Sequence, residues 1–200
     1  MRHLFVFLLI FSSVSFASVD RSEVITVLEK EFGVVVRPYS TQDFGRAKFA
    51  EAISVIIPEK NYKAALFQVR EKLPKGTMAF VGTTRNLSED EISGVELVVL
   101  MSDDKFDILR AAKSDGINYD ITNEKVIEKL QSWDRKYTID IWQAETDTIQ
   151  ITVKELPKDL KLFAKEVYEF CPDIVDQGSG EISDISDYLQ AEKAIYLWWD

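Results

Sequence analysis

Two helical stripes of identical spacing constrain this chain more than any other feature. One reads Tyr62, Ala65, Leu66, Val69 and Leu73; the other reads Leu160, Phe163, Ala164, Val167 and Cys171. Both follow i, i+3, i+4, i+7, i+11, the period that gathers apolar side chains on one side of a helix, and both stop at a proline, Pro74 and Pro172. The stripes lie 98 residues apart. Before each comes a β-rich run, "ISVII" at 53–57 and "IQITV" at 149–153, and before those "GVVVRPY" at 33–39 and "YTIDIW" at 137–142. A further helix precedes each set, from about Ser22 to Phe32 and from a Thr122 or Asn123 cap through Val126, Leu130, Trp133 and Tyr137.

Helix, strand, strand and helix thus recur in order, and a strand closes each set: "TMAFVG" at 77–82 and "AIYLWW" at 194–199. The expected fold is α+β, with two tandem α-β-β-α-β units forming a mixed, mainly antiparallel sheet packed with helices. The strand "VELVVLM" (95–101) and a short helix around Phe106 to Ala112 lie between the units. The division is a leader at 1–17, an N-terminal unit at 18–104 and a C-terminal domain at 105–200. In the second unit more than twenty residues, "DIVDQGSGEISDISDYLQAEK", separate Pro172 from the closing strand. With Gly178 and Gly180 as turn residues and Ser183 or Asp184 as a cap, this segment reads as a polar loop with a short helix.

The first residues, basic Arg2 and His3, the apolar run Leu4 to Phe11 and a small-residue stretch ending at Ala17, have the three parts of a secretory signal peptide. The apolar run is far shorter than the roughly 20 residues that cross a bilayer. Cleavage before Ser18 and a periplasmic or secreted location are expected, with no membrane span afterwards. Cleavage also removes His3, the single histidine. Ser-His-Asp and Cys-His chemistry and ordinary zinc sites then drop out together.

Charge is uneven. Residues 18–114 carry fifteen acidic and fourteen basic side chains; residues 115–200 carry nineteen and nine. Such a field draws a cationic partner and repels nucleic acid. The acidic residues Asp173, Asp176, Glu181, Asp184, Asp187 and Asp200 could serve as general acid and base or as oxygen ligands for calcium, although the spacing D-x-x-D-x-G is not that of an EF-hand loop. Cys171, at a helix C-terminus among acidic neighbours, stands in the slot of Leu73 and reads as a small apolar filler. On a strand, Trp198 and Trp199 must point to opposite faces, so one of them is a candidate anchor at a binding surface. "DGINYDITNE" at 115–124 is a turn into a helix cap that could also meet an anion or a peptide backbone.

Three stretches, "FDILRAAKSDGINYDITNEKVIEKLQSWDRKYTIDI", "YEFCPDIVDQG" and the terminal "LWWD", resemble the domain-of-unknown-function family 4253, a bacterial domain usually found at the C-terminal end of its chain. The resemblance covers about residues 105–200. Its motif positions fall on Asn118, Tyr119, Asp120, Cys171, Pro172, Asp173, Gln177, Gly178, Trp198, Trp199 and Asp200. It implies no reaction, cofactor or catalytic residue, and the export signal is a departure from what such proteins usually carry.

The expected function is therefore a non-enzymatic, acidic binding protein of the cell envelope, of the inhibitor or immunity type, with a basic protein as partner and no cofactor. Asn118, Tyr119, Asp120, Asp173, Asp176, Gln177, Gly178, Glu181, Trp198, Trp199 and Asp200 are its candidate binding residues. The alternative is a carboxylate-dependent hydrolase or a calcium-dependent binder using the acidic loop at 173–187.

Overall fold

Among the described residues, the strand-forming runs pair into one mixed, seven-stranded sheet. The computed structural model describes residues 19–40, 48–82 and 94–200, so the expected leader at 1–17 lies outside the described residues. In chain order the elements are α1 (Arg21–Phe32), β1 (Arg37–Ser40), β2 (Lys48–Ile57), α2 (Tyr62–Arg70), β3 (Met78–Val81), β4 (Val95–Leu100) and α3 (Asp107–Ala112). A 3₁₀ turn (Ile117–Tyr119), α4 (Asn123–Tyr137), β5 (Ile139–Ala144), β6 (Thr148–Val153) and α5 (Leu160–Phe170) follow. A π-helical turn (Ile174–Ser179), α6 (Ile182–Glu192) and β7 (Ala194–Trp198) complete the chain.

The helix ends obey local chemistry. Asp20 caps α1 by accepting from Ser22 N, and Gly33 ends it in the left-handed conformation that glycine adopts at least cost. The Thr122 and Asp159 side chains accept from Lys125 N and Leu162 N to start α4 and α5.

Strand order is β1-β2-β4-β3-β5-β6-β7, and every pairing is antiparallel except β3 with β5. The fold is thus α+β with a mixed, mainly antiparallel sheet packed with helices. The order helix, strand, strand, helix, strand recurs with the π-helical turn and α6 inserted before the second closing strand, but the pairing does not. β7 pairs directly with β6, whereas β4 stands between β2 and β3. Six consecutive buried residues in β4 place that strand inside the sheet with both faces covered.

Alternation along the strands sends side chains to two cores. Ile53, Val55, Leu97, Val99 and Val81 pack with Val24 and Leu28 of α1 and Leu66 and Val69 of α2. On the opposite face Phe80, Val98, Ile141, Ile151 and Leu197 meet Leu109 of α3, Leu130 and Trp133 of α4, Phe163 and Val167 of α5, and Leu189 of α6. The two halves of the sheet join at β3–β5, where one register pair, Val81 with Gln143, is formed. Arg70 of α2 reinforces this joint. Its Nε donates to Ala79 O of β3 at 2.7 Å, Nη2 to Ile141 O of β5 at 2.9 Å, and Nη1 to Asp140 at 2.8 Å.

After Pro172, where a polar loop with a short helix is expected, the helix is longer and the loop is itself helical. The segment folds as the π-helical turn and then as the full-length α6. Ile182, Ile185 and Leu189 recur at helical spacing, and burying them against α5 and β7 favours helix over loop. The cap also differs: Glu181 precedes the helix and makes no capping hydrogen bond from its side chain. Among the described residues, no helix is long and apolar enough to cross a membrane.

Candidate functional site

Three separated segments meet at the end of the sheet. After α5, Cys171 and Pro172 bring Asp173 to a buried position. Asp173 Oδ1 accepts from the Tyr119 hydroxyl and, at 2.9 Å, from Gln177 Nε2; Oδ2 accepts from the backbone N–H of Asp200 at 2.9 Å. Asn118 Nδ2 donates to the backbone carbonyl oxygen of Asp200. The loop bearing Asn118 and Tyr119 is closed by a bridge between Gly116 and Ile121 and tied to the β5–β6 turn by Asp115 N donating to Thr146 O at 2.8 Å. A Cβ on Gly116 would lie 2.8 Å from Cδ1 of Trp199, so the loop can lie on the indole only with glycine there.

Trp199 shares the face of Leu197 and is buried. Its Nε1 donates to Phe170 O at 3.3 Å, and its ring stands edge-on to Phe170 at 5.5 Å. Trp198 is half-buried and packs against the same core. Its backbone meets Cys171: Trp198 N donates to Sγ at 3.2 Å, and Sγ donates to Trp198 O at 3.0 Å. The thiol thus acts as the neighbour that edge strand β7 lacks at this residue. Burial pushes Cys171 up to about 12, so the thiolate that nucleophilic chemistry needs is suppressed at neutral pH.

The electrostatics of Asp173 point the same way. Burial acts to raise its pKa, but the donors Tyr119, Asp200 N and Gln177 outweigh burial and hold it below the ordinary value of 3.8. Tyr119 is pushed up to about 12, first by its hydrogen bond to Asp173. A carboxylate engaged by three donors is a poor general base, and it fits the role of a fastener for the last residues of the chain.

Asn118, Tyr119, Asp173, Gln177, Trp199 and Asp200 therefore come together. The remaining candidates do not join them. Asp120 adopts a left-handed conformation, and its carbonyl accepts from Lys125 Nζ at 2.7 Å. Asp176 accepts from the Tyr168 hydroxyl at 3.2 Å and Glu181 from Ser183 at 3.1 Å, both in exposed positions, and Gly178 lies on the exposed end of the π-helical turn. Among the described residues, no three His, Cys, Asp or Glu side chains are grouped to hold a metal ion.

A second region was not singled out from the sequence. The α1–α2 face of the sheet changes character at β5–β6–β7, where it presents Gln150, Tyr196 and Gln143. A bulge between Ile141 and Gln143 turns Trp142 and Gln143 toward that side together. With Glu59, Tyr62 and Glu145 these residues line a cleft of about 450 Å³. Gln150 and Tyr196 are shared with a more apolar groove of about 430 Å³, walled by Ile174, Ile185, Tyr188 and Ala194 with Asp184 at its rim. The alternation of "TIQITV" foretells that Gln150 leaves the core; nothing local foretells the bulge.

The profile of a domain of unknown function, DUF4253, matches residues 96–200. The chain belongs to this family. The DUF4253 match begins inside β4, upstream of the start at 105 read from the motifs, and takes in the fastener, the cleft floor and α6. Within the matched range, the segments "FCPD" and "LWWD" are the ones that Asp173, Cys171 and the last residues bind together. No curated protein and no solved structure matches the chain.

Proposed function

We propose that this is an exported, non-enzymatic binding protein of the cell envelope whose acidic C-terminal half receives a basic protein, as an inhibitor or immunity partner does. One observation carries the reading. From Asp173 to Glu192 there are six acidic residues and no lysine or arginine. Asp176, Glu181, Asp184, Asp187 and Glu192 are exposed, and none of them forms an ion pair among the described residues. An unpaired field of one sign raises the encounter rate with a partner of the other sign and decays over about 10 Å at 0.1 M salt. The saturated Asp173 and the suppressed Cys171 thiolate support binding over catalysis.

The test is capture from an envelope extract with the immobilised protein at low and high salt. A basic protein retained at low salt and released at high salt is expected. Recovering no salt-sensitive basic partner overturns the proposal. The export part is checked separately by mass spectrometry of the protein isolated from the envelope fraction, which should begin at Ser18.

A further inference from the structure

We infer that the groove between α6 and β7 docks an extended segment of the partner in the order basic-x-apolar-x-basic, its central large apolar side chain seated in the groove. This rests on the basic-partner reading above and names the contact that would carry it. The groove, of about 430 Å³, is lined by Ile174 of the π-helical turn, Ile185 and Tyr188 of α6, and Ala194 and Ile195 of β7, with Asp184 at its rim. Ala194 and Ile195 are buried and held in the sheet, whereas Tyr188 leaves 42% of its surface in water. A phenyl or isobutyl group entering the groove takes apolar surface of its own and of the Tyr188 ring out of water together.

One stripe of α6 supplies both the apolar wall and the charge. Asp184, Tyr188 and Glu192 recur at i, i+4 and i+8, so a carboxylate stands about 6 Å along the helix on either side of the tyrosine. All three side chains are exposed. The Tyr188 hydroxyl registers its surroundings: burial first, and then Glu192, raise its pKa above the ordinary 10.0. In an extended segment, residues i−2 and i+2 share the face of residue i and lie roughly 7 Å from it. Basic side chains at those two places therefore meet Asp184 and Glu192 when the central side chain lies against Tyr188. An acidic segment would meet like charge at both places, and an uncharged one would gain the apolar contact alone.

The probe is the acetylated pentapeptide amide Lys-Gly-Phe-Gly-Lys, titrated into protein labelled at its isoleucine methyl groups. Saturable shifts of the Ile174, Ile185 and Ile195 methyls are expected. Lys-Gly-Ala-Gly-Lys, which lacks the ring, and Glu-Gly-Phe-Gly-Glu, which reverses the charge, should each bind about tenfold more weakly at low salt. At about 1 M salt, where charges are screened beyond about 3 Å, the two phenylalanine peptides should bind alike. Tyr188→Ala should weaken the lysine–phenylalanine peptide at both salt concentrations. The double variant Asp184→Asn with Glu192→Gln should weaken it at low salt only. All three positions are exposed, and methyl signals away from the groove should stay in place. The inference is overturned if either control peptide binds as well as the probe at low salt, if the shifts lie elsewhere, or if there is no saturation up to the solubility limit. Partner capture separates the two claims. If the wild type and both variants retain the same salt-sensitive basic protein equally, the groove assignment falls and the basic-partner reading stands; if the wild type retains none, that reading falls.

Discussion

Replacing Asp173 by asparagine asks whether this buried carboxylate is a fastener or a reactive group. The native carboxylate accepts from Tyr119 and Gln177 on one oxygen and from the Asp200 backbone on the other. An asparagine can offer its carbonyl to only one of these two sites and turns an N–H₂ toward the other. In its best orientation the carbonyl keeps Asp200 N, the Tyr119 hydroxyl reverses to accept, and Gln177 loses its partner. Charge assistance disappears throughout. With hydrogen bonds to a charged group each contributing roughly 1.5–3 kcal/mol, and with the donors near enough to solvent to be rehydrated, the net loss is about 3 kcal/mol. In a domain of this size that lowers Tm by about 6–12 °C.

The pH dependence has a definite sign. The folded pKa of Asp173 lies below its ordinary 3.8, so its contribution is present above that value and lost as pH falls through the folded pKa. Wild type and Asp173→Asn should differ most at neutral pH and converge in acid. Tyr119 supplies a second readout. Its pKa, about 12 with Asp173 beside it, should fall toward 10 in the variant, measured by phenolate absorbance against a Tyr119→Phe control. Since the folded value is raised, the Tyr119 bond stabilises fully below pH 10 and is lost between about 10 and 12. A variant that melts within about 0.5 kcal/mol of wild type, with Tyr119 titrating unchanged, refutes the fastener. A variant of intact stability that loses an activity would instead revive carboxylate chemistry.

Two further substitutions test the joints of the fold. Arg70→Lys should destabilise by about 1–3 kcal/mol, because one ammonium cannot reach Ala79 O, Ile141 O and Asp140 together; urea unfolding should show a lower midpoint at unchanged slope. Cys171→Ala strips Trp198 of both its donor and its acceptor and should cost about 2–4 kcal/mol, whereas Cys171→Ser, which can do both jobs, should cost less. In the wild type the thiol should resist thiol reagents at pH 8 until the protein unfolds, and rapid labelling of the native protein contradicts its assigned burial.

The sequence by itself determined the elements and their order. The stripes of α2 and α5, the alternation of "TIQITV" and the stops at Gly33, Pro74 and Pro172 are local signals, set by backbone stereochemistry and the two periods of burial. They also placed Cys171 in an apolar slot. Only the tertiary structure decided which strands pair. The recurring order of elements suggested two like units, yet β4 enters between β2 and β3 because its six apolar-flanked positions are buried on both faces. The segment after Pro172 reads as a loop with only a short helix because six acids mask the Ile182, Ile185 and Leu189 stripe, whose value appears once α5 and β7 are there to cover it. The convergence of Asn118, Asp173 and Asp200 was likewise invisible, since their bonds span 27 to 82 residues of chain. The cleft at Gln143 depends on a bulge that long-range pairing imposes. Local periodicity fixes what each segment is; the shared burial of distant segments fixes what they make together.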